Sequence, residues 1–259
     1  MTSASVADRL RAAGCVAADD EAAELIEAAG GDAAALEAMV ARRASGEPLA
    51  WITGSVSFLG AQVAVDAGVY VPRWQTEVVA ARAATLLTSA AAAGIAVDLC
   101  TGSGAVAAHL SRSCPGALVV ASDIDPVAVA CARRNGVDAR FGDLDAPLDP
   151  SLAGRVDVLV AIPPYVPSVA VPSLARDVVA FEPLVAIDGG AEGLAVLDRI
   201  AALAPRWLRP GGALVVELGG DGQSMTFAAR LRRSGFTEIA TLVDPDGDPC
   251  GVEARKRRD

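Results

Sequence analysis

The sequence predicts an α/β protein: a mostly parallel, seven-stranded sheet with an antiparallel last strand, preceded by a small helical domain. Three observations predict it. From Ile95 onward, short apolar runs (residues 95–100, 118–122, 156–161 and 213–218) alternate with helical stretches, at the spacing of βαβ units. Near the end, residues 236–243 and 252–255 are joined by Asp244-Pro245-Asp246-Gly247-Asp248-Pro249, too short a link for a parallel crossover, so these strands pair antiparallel. Residues 1–50, by contrast, contain no good strand. Their apolar residues recur at helical spacing, as in Leu25, Ala28 and Ala29, then Leu36, Met39 and Val40.

In chain order, residues 1–50 read as a helical domain punctuated by Gly14 and Gly30-Gly31 and closed by Gly46-Glu47-Pro48. Residues 51–71 change character. Val56, Phe58, Val63, Val65, Val69 and Val71 lie among glycines, which predicts a linker β-hairpin. Residues 72–259 form the main domain. Its Ala-rich stretch 81–96 is broken by Arg82, Thr85, Thr88 and Ser89 and reads as an ordinary helix, not a membrane span. Composition narrows the function. Of 259 residues, 53% are apolar, enough for a large core, and the net charge is −10. Such a surface repels phosphate backbones and anionic lipids, which argues against nucleic-acid or membrane partners. The five cysteines form no C-x-x-C pair and are odd in number, so neither a zinc site nor a disulfide framework is expected. Reduced thiols and an N-terminus carrying Asp8 without a long apolar run point to a cytoplasmic protein.

The chemistry concentrates at the first parallel strand, in Asp98-Leu99-Cys100-Thr101-Gly102-Ser103-Gly104. A glycine loop between strand and helix lets a ligand approach the backbone closely. Asp123 closes the second strand, placed to accept hydrogen bonds from both hydroxyls of a ribose. Asp143 follows the third strand, suited to an adenine edge. Gly102-Ser103-Gly104-Ala105-Val106-Ala107 also satisfies the dinucleotide fingerprint, so an NAD-dependent dehydrogenase is the competing reading. Asp98 decides between them. A carboxylate at the loop repels a pyrophosphate and attracts the ammonium and sulfonium of S-adenosylmethionine. The expected cofactor residues are therefore Asp98, Cys100, Thr101, Gly102, Gly104, Asp123, Ile124, Asp143 and Leu144, with no metal.

After the fourth strand comes Ile162-Pro163-Pro164-Tyr165. Together with the glycine loop, with Gly46-Glu47-Pro48-Leu49-Ala50-Trp51-Ile52-Thr53-Gly54, with Val71-Pro72-Arg73-Trp74-Gln75-Thr76-Glu77 and with the segment from Phe181-Glu182-Pro183 to Asp188-Gly189-Gly190-Ala191-Glu192-Gly193, this resembles the HemK/PrmC family of protein-glutamine N5-methyltransferases. The resemblance covers nearly the whole chain and implies that the helical N-terminus docks substrate. In the family the fourth-strand motif is N-P-P-Y, whose Asn accepts from the target amide. Here Ile162 stands at that position and offers no acceptor, at a cost of about 1–3 kcal/mol for an amide donor left unsatisfied. Three outcomes follow: a changed acceptor, such as the guanidino group of arginine or a related amino-acid-like small molecule; a release-factor glutamine held by other groups; or a catalytically degenerate paralogue. Glu77, Asp177, Glu182 and Glu217 are candidate partners for a guanidinium, with Glu182 and Glu77 foremost. The resemblance makes Ile162, Pro163, Pro164 and Tyr165 the acceptor pocket.

Amino-methyltransferases of DNA adenine share the proline-aromatic turn, but the acidic charge argues against that substrate. A pure binding module would hold the cofactor yet have no acceptor. His109, Trp51, Trp74 and Trp207 read as packing residues, and Arg255-Lys256-Arg257-Arg258 as a solvated tail.

Overall fold

The structure, a computed structural model, describes residues 2–90 and 93–258. The N-terminal region is four helices, α1 (Ser3–Ala12), α2 (Ala18–Ala28), α3 (Ala33–Ala44) and the short α4 (Leu49–Thr53). Local signals start them. The Thr2 hydroxyl accepts from Ser5 N at α1, and Asp32 accepts from Ala34 N and Ala35 N at α3, satisfying amides that lack helical partners. Their apolar stripes meet in a core of their own around Val6, Leu10, Leu25, Val40 and Ile52. An Arg43–Glu21 ion pair at 2.7 Å ties α3 to α2.

A hairpin follows, β1 (Ser55–Phe58) and β2 (Ala61–Ala64), turning at Leu59-Gly60. The predicted hairpin extended to Val71, but pairing stops at Ala64. An Asp66–Val69 turn, closed by Val69 N donating to Asp66 O at 3.1 Å, takes the chain out of the ladder. Val65, Val69 and Val71 instead pack against Ala128 and Cys131.

The remaining elements are α5 (Trp74–Ala90), β3 (Ile95–Leu99), α6 (Ala105–Ser113), β4 (Leu118–Asp123), α7 (Pro126–Arg134), β5 (Asp138–Phe141), β6 (Val156–Ala161), α8 (Arg176–Phe181), α9 (Ala195–Trp207), β7 (Leu208–Glu217), α10 (Gly220–Arg233), β8 (Phe236–Val243) and β9 (Pro249–Lys256). The helix expected over 81–96 runs to Ala90; residues 91 and 92 lie outside the described residues, and β3 begins at Ile95. The seven strands order as β5-β4-β3-β6-β7-β9-β8, with β9 antiparallel to both neighbours and the other pairings parallel. This is the predicted architecture.

Helices cover both faces, which is why β3 and β6 are buried at every residue and read as apolar runs interrupted only by Asp98 and Asp157. Alternation splits them between two cores. Val97, Leu99 and Leu159 join Leu197, Trp207 and Phe227 on one face; Ala96, Val158 and Val160 join Val79, Leu87 and Leu110 on the other. The chain moves from β3 outward through β4 to β5, then returns to β6 on the other side of β3. The crevice outside the carboxyl ends of these strands is where open α/β sheets bind ligands.

The tryptophans brace. Trp207 Nε1 donates to Asp145 Oδ2 at 2.8 Å, and Trp51 Nε1 donates to Val69 O at 2.9 Å while its ring meets Phe181 edge-on. The basic tail differs from expectation. Residues through Lys256 belong to β9, and Lys256 Nζ donates to Pro205 O and Leu208 O at 2.7 and 2.8 Å, compensating carbonyls at the end of α9. All five cysteines are free. Among the described residues no helix is long and apolar enough to cross a membrane.

Candidate active site

A cavity of about 640 Å³ opens at the carboxyl ends of the parallel strands, within the size range of small-molecule sites. The glycine loop forms one wall. Cys100 and Gly102 adopt positive φ (57° and 56°), and Thr101 N donates to Ser122 O at 3.1 Å, pinning the loop to β4. Gly104, at φ 81°, starts α6; a Cβ there would meet Ala132 Cβ at 2.9 Å, so the helix can approach α7 only with glycine. Cys100, Thr101 and Gly102 line the cavity, whereas Gly104 does not.

Asp98 is not on the cavity wall. By strand alternation it shares the face of Ala96 and points beneath α6. Its Oδ2 accepts from Thr101 Oγ1 at 2.6 Å and from Ala107 N at 3.2 Å, while Oδ1 has no partner. Asp98, expected to attract the cofactor's cationic groups, thus lies beneath the loop and not on the cavity wall. Burial pushes its carboxyl from 3.8 up to about 7, against the two hydrogen bonds. Between about pH 4 and pH 7 the unfolded chain has lost this proton and the folded chain keeps it, so folded-state stability falls as pH rises through that window. The spread is worth roughly 4 kcal/mol. Urea unfolding at pH 5 and pH 8 should show the wild type losing more stability than Asp98→Asn over that interval; parallel losses would mean that Asp98 is ionised at both.

Asp123 and Asp143 do line the cavity. Asp123 Oδ2 accepts from Gly102 N at 2.8 Å and Oδ1 from Asp125 N at 2.9 Å, so two backbone amides fix the carboxylate. Burial pushes its carboxyl above the ordinary range, and those amides oppose the shift. Asp143 Oδ2 accepts from Arg199 Nη2 of α9 at 2.7 Å. Leu144, at φ 49°, is held by Ser122 Oγ donating to its carbonyl at 2.7 Å. Ile124 and Leu144 supply apolar wall.

Of the four residues expected to form the acceptor pocket, Ile162 and Pro164 line this cavity, and Pro163 and Tyr165 do not. Tyr165 turns away, donating its hydroxyl to Glu217 Oε1 at 3.1 Å. Its backbone is clamped. Gln223 Nε2 donates to Tyr165 O at 2.7 Å and to Glu192 O at 3.2 Å, while Gln223 Oε1 accepts from Gly219 N at 2.9 Å. Gly193, at φ 71°, packs against the same carbonyl so closely that a Cβ would overlap Tyr165 O and Gln223 Nε2. Gly193→Ala should therefore cost roughly 3 kcal/mol in stability, read as a lower urea midpoint; an unchanged midpoint would show that the turn yields freely. Neither Glu182 nor Glu77 reaches the cavity. Glu182 Oε1 accepts from Arg73 Nη2 at 2.5 Å, and Glu77 Oε1 accepts from Leu59 N at 3.0 Å, anchoring the hairpin turn. Thr76, one residue from Glu77, lines the cavity; its buried hydroxyl closes no hydrogen bond but lies beside the Glu217 carboxyl. Sequence reasoning missed Thr76, Tyr70 and Arg199 as cavity residues and Gln223 as the clamp. Thr76 stood in a quoted motif; the others carried no local signal.

No family model matches the chain. Among curated proteins, the release factor glutamine methyltransferase of Geobacter sulfurreducens is 39% identical over 220 residues, spanning 83% of this chain and 75% of the relative. The chain belongs to the release factor glutamine methyltransferase family. The counterpart from Mycolicibacterium smegmatis is 37% identical over 233 residues, 86% of this chain and 80% of that protein. In fold, the methyltransferase is similar to the ribosomal protein L11 methylase of Lactobacillus delbrueckii subsp. bulgaricus, with a TM-score of 0.53 at 16% identity, over 79% of this chain and 90% of that one.

S-adenosylmethionine is the methyl donor of enzymes of this family, and the methyltransferase's cavity fits it. The loop's backbone is exposed to the cavity, two strand-end carboxylates face a nucleoside-sized space, and the acidic lining of Asp123, Asp125 and Asp143 suits a ligand with net positive charge. The unpartnered Asp98 Oδ1 beneath the loop adds negative potential there while ionised.

Proposed function

We propose that this methyltransferase methylates the side-chain amide nitrogen of a glutamine in a translation release factor. The observation that carries the reading is the likeness to release factor glutamine methyltransferases, at 39% identity over 83% of the chain. When bound, S-adenosylmethionine supplies a methyl group already activated on a sulfonium, so the protein's contribution is binding, orientation and exclusion of water. Asp123 holds the ribose hydroxyls and Asp143, steadied by Arg199, the adenine edge; Cys100, Thr101 and Gly102 cradle the methionine part, with Ile124 and Leu144 flanking the base. Ile162 and Pro164 shape the acceptor end, and the Pro163–Tyr165 turn is kept rigid by Gln223.

A planar amide needs an acceptor that Ile162 cannot provide. The Thr76 hydroxyl, on the cavity wall and beside the Glu217 carboxyl to which it can donate, keeps lone pairs to take that role. A guanidinium would instead need a carboxylate, and none of those considered lines the cavity. Glu77 is spent on Leu59 N, Glu182 on Arg73, and Asp177 on Val178 N at the start of α8. Glu217 faces the other side of the turn. Among the described residues Asp188 does line the cavity, with Oδ1 accepting from Ser168 Oγ and Gly190 N, so the preference for an amide over arginine rests on the substrate named for the relatives. The α1–α4 unit, with its separate core, is assigned to docking the protein substrate.

The test is incubation with labelled cofactor and either a release factor carrying Gly-Gly-Gln or a set of free amino acids including arginine. Label is expected in the release-factor glutamine. Label in arginine alone would overturn the proposal, and label in neither would mark a chain that binds cofactor without transferring its methyl group.

A further inference from the structure

A second pocket, of about 500 Å³, lies between the carboxyl end of β7 and the β8–β9 turn. It shares no lining residue with the cofactor cavity, yet the two adjoin. Pro72 and Pro164 line the cavity, and their neighbours Arg73 and Tyr165 line the pocket. The same two segments thus separate the acceptor end from this second space.

The pocket is strongly acidic: Glu217, Asp244, Asp246 and Asp248 line it against the single cation Arg73. That cation is already committed. Its guanidinium donates to Glu182 Oε1 at 2.5 Å and sits 5.1 Å from the centre of the Tyr70 ring. Glu217 is an independent sign of a missing ligand. It is 1% exposed; Oε1 accepts from Tyr165, the Thr76 hydroxyl lies close enough to favour the charged form, and Oε2 itself closes no hydrogen bond. A buried carboxylate oxygen left without a donor is costly, and an arriving cation relieves that cost. Half-exposed Trp74 lines the same pocket and adds an aromatic face, a further attraction for a cation. Asp244 Oδ1 accepts from Asp246 N and Asp248 N, both at 2.9 Å, so the acidic turn is held in one shape.

We propose that this pocket receives a cationic side chain, guanidinium or ammonium, carried by the acceptor polypeptide at a residue flanking the methylated one. The identity of that polypeptide rests on the glutamine reading above. Attachment to the acceptor follows from placement: the pocket backs onto the acceptor turn through Tyr165, outside the cavity where methyl transfer occurs, so its occupant anchors a chain and is not itself methylated.

The experiment uses the full chain and two synthetic peptides centred on glutamine, one flanked by arginines and one by neutral residues, with binding measured by calorimetry at low and high salt. Free N-acetylargininamide is titrated as a third probe. The Asp246→Asn/Asp248→Asn double variant removes two charges whose side chains are exposed and outside the catalytic cavity. The arginine-flanked peptide is expected to bind about tenfold tighter than the neutral one, an advantage of the size that a few partly screened charge pairs supply. High salt and the double variant should each reduce that advantage to about twofold. Equal binding of the two peptides, or a preference untouched by the double variant, would overturn the pocket assignment. Binding of N-acetylargininamide as tight as that of the basic peptide would overturn the polypeptide assignment in favour of a free cation. Should the peptide preference hold while neither peptide nor release factor takes label at glutamine, the pocket stands and the glutamine reading falls.

Discussion

Asp123→Asn should raise the Kd for S-adenosylmethionine at least about a hundredfold. An ionised carboxylate offers about four lone-pair sites. In Asp123 one on each oxygen is taken, by Gly102 N and by Asp125 N, which leaves both oxygens able to accept from the cavity side. Two ribose hydroxyls bonded to a charged acceptor contribute about 1.5–3 kcal/mol each, and each 1.4 kcal/mol is tenfold in affinity. The amide in Asp123→Asn retains one oxygen and presents an NH₂ where an acceptor is needed. It also turns a donor toward one of the two amides that fix the loop, so part of the loss comes from a loosened wall. Calorimetric titration of wild type and variant measures the effect, and matched urea midpoints separate it from unfolding. A Kd within threefold of wild type would remove Asp123 from the cofactor site.

The frame of this protein was legible because it is written in periodicities. Runs buried on both faces, such as Ala96–Leu99 with its single Asp98 and Val158–Ala161, lack the regular polar alternation of a half-exposed strand and, set between helical stretches, read as central strands. The short acidic link at Asp244–Asp248 forced β9 to run antiparallel. Asp123 was legible for a related reason: its distance from the glycine loop is set by one βαβ unit, and it ends beside Gly102 N. Asp98 was half legible. The sequence marked it as special, and its charge pointed to the right cofactor class. Its direction was set by the pleat, which puts it with Ala96 under α6. What the sequence hid were pairings between distant segments. Arg73 and Glu182 lie 109 residues apart, Gln223 and Tyr165 58, and Arg199 and Asp143 56. Such contacts follow from the finished fold and leave no periodic trace. This is why Glu182 read as an acceptor contact when it is the partner of a half-buried arginine, and why Glu77 read as catalytic when it fastens a hairpin.

Ile162→Asn is expected to raise turnover on release-factor glutamine about tenfold. Ile162 follows the last residue of β6, its amide donating to Leu99 O at 3.4 Å, and its side chain lies between the apolar core and the cavity. On the proposed reading, the amide of the acceptor glutamine meets an alkyl wall there in the wild type, and the Thr76 hydroxyl is left to accept from it. A carboxamide at position 162 adds a second acceptor, worth about 1–1.5 kcal/mol in the transition state if it orients the nitrogen, hence the factor of ten. The gain should appear in kcat more than in KM, because binding of the docked protein is spread over a larger surface whereas alignment of the nitrogen is local. The same substitution removes apolar contact with the core and should lower stability by about 1–2 kcal/mol, which a urea midpoint records independently. Pairing it with Thr76→Val distinguishes the acceptors. If Thr76 serves the wild type, Thr76→Val alone should reduce turnover about tenfold, and Ile162→Asn in that background should restore most of the loss. Turnover on glutamine unchanged by Ile162→Asn, with the chain folded and cofactor bound, would show that this position does not control the acceptor.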